Sequence, residues 1–332
     1  MKELYNVSAS PHVRSGVTTR SIMRDVAIAL IPASAMGVYR FGFKAFLVLL
    51  SAVVSAILSE YLWTKFVLKK KICFTECSAL VTGLLLGINL PASVPLWMPV
   101  VGSAFAIIVA KEFFGGLGQN FMNPALAGRC FLVICFAGRM TDFAVEKSSR
   151  LFYYGASAVD GLSSATPLAV IKDGGAYSLK DMFLGFTGGV IGETSALCIL
   201  IGAIYLLVRK VISLRIPVAY IATVAVFMLI FGGHGCDINY VACHLCGGGL
   251  MLGAWFMATD YVTSPITKAG QVVFGILLGL LTGVIRVFGN SAEGVSYAII
   301  FCNLLVPFIE RFTMPRAFGV VKVKKQKGGA AK

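Results

Sequence analysis

Gly83-Leu84-Leu85-Leu86-Gly87 is a glycine-bounded apolar pentapeptide that recurs later in the chain as Gly249-Leu250-Met251-Leu252-Gly253. Each copy is followed by a break that contains polar residues and proline, at 89–95 after the first and at 259–265 after the second. Short, interrupted apolar segments at matching positions of two halves are typical of inverted repeats that enclose a central site. Glycine and proline are also common in membrane helices in general, so a coincidence of composition stays open at this point.

The composition around these segments is that of an integral membrane protein. The chain has 332 residues, of which 58% are hydrophobic and 13% are charged, and its mean hydropathy is +0.85. A helix that crosses about 30 Å of hydrocarbon needs about 20 apolar residues. Counting shorter, interrupted stretches, we predict an all-α membrane protein with roughly ten transmembrane helices, some of them broken. The predicted spans are 21–39, 44–64, 77–91, 96–112, 124–138, 183–208, 216–232, 246–259, 270–287 and 295–311.

One long polar segment, 139–182, divides the predicted spans into two groups of equal number. An odd number of spans on each side makes the groups antiparallel, which predicts two inverted five-helix repeats at 21–138 and 183–312. Within the first repeat, the break at 113–126 should be packed inside the protein or lie at its surface, because lipid does not satisfy non-helical backbone. There Asn123 should cap the fifth span, with the following proline at the first helical position.

Basic residues give the chain a net charge of +14, and they cluster at the ends of apolar spans. This is the positive-inside pattern. It predicts a multi-pass protein of the bacterial inner (cytoplasmic) membrane, with a cytoplasmic N-terminal segment (1–20), a cytoplasmic basic tail (313–332) and an extracytoplasmic loop (139–182). The pattern argues against nucleic-acid binding and favours attraction to anionic lipid head groups. The clusters are Lys69-Lys70-Lys71, Arg209-Lys210 with Arg215, and Lys322, Lys324, Lys325 and Lys327.

The polar segment contains a hydroxyl-rich stretch, Ser157-Ala158-Val159-Asp160-Gly161-Leu162-Ser163-Ser164-Ala165-Thr166-Pro167-Leu168. Gly161 and the small residues before Thr166 would leave the Thr166 hydroxyl unhindered on an accessible loop, as covalent attachment of a group requires. The same residues also fit a helix start, in which Thr166 caps the helix and Pro167 occupies its first position. The stretch alone does not decide between the two.

This stretch resembles the flavin-attachment site of the family that contains the D subunit of Rnf complexes and the B subunit of the Na⁺-pumping NADH:quinone oxidoreductase. Further blocks resemble the same family in the same order, so the resemblance covers nearly the whole chain. These blocks are Ser10-Pro11-His12, Gly115-Gly116-Leu117-Gly118-Gln119-Asn120, Asn123-Pro124-Ala125-Leu126, Gly192-Glu193-Thr194-Ser195, His244-Leu245, Ala258-Thr259-Asp260 and Thr263-Ser264-Pro265.

The resemblance implies an electron-carrier subunit with FMN bound to Thr166 through a phosphoester. It also implies a second, non-covalent flavin (riboflavin), which no motif here locates. The implied complex is an ion-translocating ferredoxin:NAD⁺ oxidoreductase that couples electron transfer to Na⁺ or H⁺ translocation. Its implied partners are other Rnf-type subunits, a flavin transferase during maturation and membrane lipid. The expected cofactor-binding residues are Thr166, Asp160, Gly161, Ser163, Ser164, Asn120, Asn123 and Arg129, and no residue of this chain is expected to be catalytic.

Ionisable residues inside predicted apolar spans are candidates for function. Glu193, in the predicted sixth span, is a candidate for a proton or Na⁺ path; alternatively it stays protonated and hydrogen-bonds a neighbouring helix. Asp260 is a second ion-path candidate, and its alternative role is that of a turn-forming aspartate. Arg129 should point inward, toward a carboxylate, a carbonyl or a flavin phosphate. Arg286, near a span end, is expected to be a snorkelling anchor.

The Cys243-His244-Leu245-Cys246 segment has His234 and Cys236 nearby, so four metal ligands are nominally present. The segment lacks a second Cys-x-x-Cys pair and runs into an apolar helix, so no metal site is predicted. The chain also lacks phosphate-loop and dinucleotide-binding motifs. NADH and ferredoxin are therefore expected to bind other chains.

Two other functions stay open from the sequence. An inverted repeat with broken helices would equally serve a redox-free channel or transporter for a small solute. The resemblance also allows the homologous subunit of the Na⁺-pumping NADH:quinone reductase.

Overall fold

The computed structural model describes residues 16–69, 77–143, 166–172, 175, 178–233, 235, 237–289 and 294–315. Within these residues the structure is helical, and its one β-type contact is an isolated bridge between Pro91 and Val190. The predicted all-α class is therefore confirmed.

The first half begins with two long helices and continues with shorter ones. Thr18 opens the first helix with a capping box, in which its hydroxyl accepts the Ser21 backbone N–H and Ser21 bonds back to Thr18. Asn123 caps the fifth helix by accepting the Ala125 backbone N–H, as predicted. The helices are α1 (Thr19–Phe41), α2 (Phe43–Phe66), α3 (Ser78–Ile88), α4 (Trp97–Ala104), α5 (Pro124–Cys135) and α6 (Ala137–Met140). After α4 the chain continues as a π-helical turn (Phe105–Val109) and a 3₁₀ turn (Glu112–Phe114).

The second half repeats the mixture of long and interrupted helices. Its helices are α7 (Pro167–Lys172), α8 (Leu179–Leu184), α9 (Ala196–Val208), α10 (Arg215–Phe231), α11 (Ile238–Cys246), α12 (Leu250–Leu252), α13 (Lys268–Phe288) and α14 (Val295–Thr313). A π-helical turn (Gly253–Met257) extends α12. Both halves thus contain a π-helical turn, at 105–109 and at 253–257.

Among the residues that the structure describes, five helical segments are long and apolar enough to cross a membrane: Thr19–Phe41, Phe43–Phe66, Trp97–Phe114, Lys268–Phe288 and Val295–Thr313. A sixth span results if Ile238–Cys246 and Leu250–Met257, which are bent by 62° at their break, count as one. Large apolar side chains such as Ile31, Leu58 and Ile230 are exposed on the helices, which is the surface that lipid would cover. Four further apolar helices are shorter, so the count of about ten spans stays a prediction.

Two predicted spans have the wrong boundaries. In the predicted sixth span, 183–208, the long apolar helix begins only at Ala196. Before Ala196 the chain ends α8 at Gly185, which has a φ of 105°, and then hydrogen-bonds to the break after α3. In that contact the Ile191 N–H donates to the Leu90 carbonyl at 3.0 Å and the Gly192 N–H donates to the Ile88 carbonyl at 2.8 Å. The eighth, 246–259, belongs to a helical pair that starts at Ile238 and bends at 247–249.

Small residues allow the helices to approach closely. On α13, Gly275, Gly279 and Gly283 form a stripe at four-residue intervals that faces α10, and a Cβ on Gly279 would lie 2.4 Å from Thr223 Cβ. On α3, a Cβ on Gly83 would lie 2.8 Å from the Ala52 carbonyl oxygen of α2. Such contacts are how membrane helices gain van der Waals packing.

Candidate functional site

Thr166 stands directly before α7, at the end of the segment that carries the predicted flavin site. Its side chain is buried, with 9% exposure, and its carbonyl oxygen accepts the Val170 backbone N–H at 3.1 Å. The structure therefore places Thr166 at a helix start with Pro167 in the first position. The other predicted residues of this stretch lie outside the described residues: Asp160, Gly161, Ser163 and Ser164.

A polar cavity of about 260 Å³ lies beside α7, and we call it the α7 cavity. Its walls combine aromatic, aliphatic and basic side chains. The lining residues are Leu168, Ile171 and Lys172 of α7, Gly232 at the end of α10, Tyr240 and His244 of α11, and Arg286 and Val287 of α13. The Tyr240 and His244 rings are 4.5 Å apart between centroids. Lys172 Nζ donates to the Gly289 carbonyl.

Arg286 is buried at the bend of the eighth span, with only 3% exposure. Its guanidinium donates to the His244 carbonyl at 2.5 Å and to the Gly247 and Gly248 carbonyls at 3.0 Å each. These carbonyls lie at the C-terminal end of α11, where no helical N–H groups are available to bond them. A cation at this end also interacts favourably with the helix dipole. The predicted snorkelling role of Arg286 is therefore wrong, because its head group does not reach the surface.

Glu193 lies in the turn that precedes α9, and not inside a transmembrane helix as predicted. It approaches the same bend as Arg286, since a Cβ on Gly249 would lie 3.6 Å from Glu193 Oε2. An acidic and a basic group from different parts of the chain thus lie beside consecutive glycines, Gly249 and Gly248.

A second cavity, of about 90 Å³, lies between the two halves, and we call it the interface cavity. Two predicted cofactor-binding residues and one predicted ion-path residue lie together there: Asn120, Asn123 and Asp260. Apolar side chains, among them residues of α1, α3 and α9, form most of the remaining wall, with Ser78, Thr82, Lys111, Trp255, Thr259 and Tyr261 as further members that carry polar groups.

Hydrogen bonds hold the polar groups of the interface cavity in place. Asn123 Nδ2 donates to the Met257 carbonyl at 3.4 Å, and Asn120 Nδ2 donates to the Met122 carbonyl at 3.0 Å. The Asp260 carboxylate accepts the Thr263 hydroxyl at 3.1 Å. Burial raises the pKa of Asp260 above its usual value, and hydrogen bonds from Thr263 and from two backbone N–H groups oppose this shift. Trp255 Nε1 is buried and has no hydrogen-bond partner among the described residues.

The two cavities lie at different ends of the α11–α12 pair. The α7 cavity contacts His244, whereas the interface cavity contacts Trp255, Phe256 and residues that follow. The break between Ile238–Cys246 and Leu250–Met257, bent by 62°, lies between these contacts, and the two cavities share no lining residue. The structure therefore separates Asn120 and Asn123 from Thr166, although the resemblance placed them in one set.

Comparison with known proteins identifies the family. A family model described as NQR2, RnfD, RnfE matches residues 6–319. The chain belongs to the NQR2, RnfD, RnfE family. The resemblance predicted from the sequence blocks is thereby confirmed.

Relatives within this family match over nearly their whole length. The D subunit of the Na⁺-translocating ferredoxin:NAD⁺ oxidoreductase complex of Acetobacterium woodii is 46% identical over 98% of this chain and 99% of its own. The D subunit of the proton-translocating ferredoxin:NAD⁺ oxidoreductase complex of Clostridium ljungdahlii is 41% identical over 96% of this chain and 97% of its own. The D subunit of the ion-translocating oxidoreductase complex of Escherichia coli is 34% identical over 95% of this chain and 99% of its own. Because the first two are named for different ions, similarity does not select an ion for this chain.

The side chain of Arg129, another expected cofactor-binding residue, points into the protein, as predicted. It is 8% exposed, and its Nη1 donates to the Ser296 hydroxyl at 2.7 Å and to the Asn89 side-chain carbonyl at 3.3 Å. Asn89 belongs to the break after α3 and Ser296 to α14. Arg129 therefore lies between the first and the second half of the chain.

A buried ionic cluster beside the interface cavity was not predicted. Lys111 Nζ lies 2.5 Å from Glu60 Oε1, 3.8 Å from Glu112 Oε1 and 2.8 Å from the Ser78 hydroxyl. The Lys111 side chain is 2% exposed. The sequence could have indicated this cluster, because its ionisable residues lie inside or at the end of predicted apolar spans.

The Cys243 and Cys246 thiols are free, and both residues lie on α11. In the part of the chain that the structure describes, no three His, Cys, Asp or Glu side chains come together as a metal site. His234 and Cys236 lie outside the described residues.

Proposed function

We propose that this chain is the membrane electron-carrier subunit of an Rnf-type ferredoxin:NAD⁺ oxidoreductase that couples electron transfer to Na⁺ or H⁺ translocation. The nearly full-length similarity to proteins named as the D subunit of such complexes supports this function. The other subunits of the complex bind ferredoxin and NADH, and this chain passes electrons within the membrane.

The proposed redox group is FMN, joined to the Thr166 hydroxyl by a phosphoester. The observation that carries this proposal is the position of Thr166: it ends the hydroxyl-rich segment and begins the helix whose next turn lines the α7 cavity. The basic and aromatic side chains of that cavity fit a flat, electron-accepting ring with polar edges. Bound FMN supplies the electron transfer, and the protein supplies its position and electrostatic surroundings.

The interface cavity is the proposed place of a second, non-covalent flavin. Its apolar walls suit the faces of a flat ring, and the Trp255 indole N–H and the Asn120 amide can bind polar edges. The cavity is about 90 Å³, whereas ligand pockets measure about 300–1,000 Å³. A flavin therefore fits there only if the walls of the cavity move apart.

The proposed ion path uses Glu193 and Asp260, which lie in non-helical segments, before α9 and after the π-helical turn at 253–257. Backbone carbonyls at such breaks, together with carboxylates, are the groups that bind cations in transporters with inverted repeats. The proposed setting is the bacterial inner membrane, with both termini cytoplasmic and Thr166 on the opposite side. A flavin transferase and membrane lipid complete the proposed partners.

Intact mass spectrometry tests the covalent flavin directly. The full chain, produced together with a flavin transferase, is expected to gain the mass of one FMN less one water, and its band should fluoresce after denaturing electrophoresis. Thr166→Val should lose both signals. Thr141→Val is the matched control, because Thr141 is an exposed threonine at the end of α6.

The other outcomes separate the alternative functions. An unmodified chain in the presence of active transferase would refute the flavin carrier and leave a redox-free channel or transporter. Electron flow to quinone instead of flow from ferredoxin to NAD⁺ in the assembled complex would assign the chain to the quinone-reductase branch of the family.

A further inference from the structure

The α7 cavity lies beside Thr166 in the chain and has two basic side chains, Lys172 and Arg286, in its wall. We propose that the isoalloxazine ring carried by Thr166 lies in this cavity, against the side chains of Leu168, Ile171, Tyr240 and His244. In the same proposal, Lys172 and Arg286 raise its reduction potential. This inference rests on the proposed covalent FMN at Thr166.

The geometry of α7 supports the placement. Thr166 lies two residues before Leu168, and successive turns of α7 supply three of the lining side chains. The proposed attachment residue therefore directly precedes the helix that forms one wall of the cavity. Leu168 is also packed against Met182 and Cys243, which holds α7 against α11 and keeps the cavity at a constant distance from the tether.

The chemistry of the walls matches a flavin. Aliphatic and aromatic side chains suit the two faces of the ring, and a tyrosine within contact distance is an electron donor to an excited flavin. Donors at the edges suit the carbonyl oxygens and nitrogens of the ring. The cavity of about 260 Å³ is larger than the interface cavity and lies just below the range of about 300–1,000 Å³ that is typical of ligand pockets.

The charges of the cavity favour the reduced ring. Reduction adds two electrons and at least one proton, so the reduced flavin is more negative than the oxidised flavin or equally charged, and nearby cations stabilise the negative form. Arg286 is 3% exposed, so water screens its charge weakly. Lys172 contributes a second positive charge from the mouth of the cavity, where it is exposed.

Redox titration of the full chain with FMN attached tests the effect of charge. Lys172→Gln should reduce the equilibrium constant for two-electron reduction about tenfold, which corresponds to a fall of about 30 mV in midpoint potential. Lys180→Gln is the matched control, because Lys180 is an exposed lysine of α8 that does not line the cavity. It should leave the potential unchanged.

Fluorescence tests the position of the ring independently of charge. Tyr240→Phe removes the phenol that quenches an adjacent flavin, so the fluorescence per covalently bound FMN should rise. A change in either variant, with Lys180→Gln unchanged, supports the placement. Wild-type values in both variants, with FMN on Thr166 verified by mass, would overturn the placement and leave the proposed function intact. A wild-type chain without flavin would refute both.

Discussion

Arg129 Nη1 lies 2.7 Å from the hydroxyl oxygen of Ser296, and this contact joins α5 of the first half to α14 of the second. The same nitrogen donates to Asn89 Oδ1 at 3.3 Å. Because Arg129 is only 8% exposed, its charge must be compensated inside the protein. A buried, hydrogen-bonded cation therefore connects the two halves, in addition to apolar packing.

Arg129→Met should destabilise the chain by about 1.5–3 kcal/mol, because it removes hydrogen bonds from a charged donor and leaves buried polar partners behind. The measurement is thermal unfolding in detergent, followed with a thiol-reactive dye. Arg139→Met, at the exposed end of α6, is the control and should change the melting temperature little. Equal melting temperatures for the two variants would contradict a connecting role for Arg129.

Gly202 marks a place where α9 crosses α1 closely. A Cβ on Gly202 would lie 2.1 Å from the Ala29 carbonyl oxygen, so Gly202→Ala forces the helices apart. The expected loss is about 1–3 kcal/mol, the usual cost of overpacking. Gly138→Ala is the matched control: a Cβ there meets no atom within 4 Å, and alanine in a helix should be neutral or slightly stabilising. Similar unfolding curves for both variants would show that α1 and α9 do not approach as described.

The long apolar runs allowed the sequence to predict the helical class and the ends of α1, α2, α13 and α14 to within a few residues. Such runs are recognised by their length and hydrophobicity, and neither property depends on contacts outside the helix. The cap at Asn123 was predictable for the same reason, since its partner is two residues away.

The segment before α9 was assigned to a helix although its composition indicates a loop. Residues 185–195 contain four glycines together with Thr187, Glu193, Thr194 and Ser195, a composition typical of loops, and the structure places Glu193 in a turn. The partner of this loop left no local signal, because the Ile191 and Gly192 N–H groups bond to carbonyls of the first half, far away in the sequence. The same limit applies to the site: family blocks placed Asn120, Asn123 and Thr166 in one set but contained no distances between them.

The ion pair of Lys111 with Glu60 should stabilise the packing of α2 against the segment after α4. Lys111 is 2% exposed and Glu60 is 31% exposed, so the pair is partly screened and its coupling energy should be about 1–3 kcal/mol. A double-mutant cycle with Lys111→Met and Glu60→Gln measures this coupling through unfolding free energies. Lys65→Met, on the exposed end of α2, is the control with no such coupling to Glu60. Additive effects of the two substitutions would show that the pair contributes nothing.

Asp260 should make the stability of the chain depend on pH in the direction opposite to that of most carboxylates. Burial raises its folded-state pKa above the usual value of 3.8, so the folded protein holds this proton more tightly than the unfolded chain. The resulting stability is fully present below the unfolded pKa and is lost as the pH rises through the raised folded pKa.

Asp260→Asn keeps the shape of the neutral carboxyl and removes this loss. The melting temperature of the wild type should therefore fall relative to that of Asp260→Asn as the pH rises from below about 4 toward neutrality. Asp181→Asn, which alters an exposed carboxylate of α8, should lack this trend. A wild-type chain that gains stability relative to Asp260→Asn over the same pH range would contradict a raised pKa of Asp260 in the folded protein.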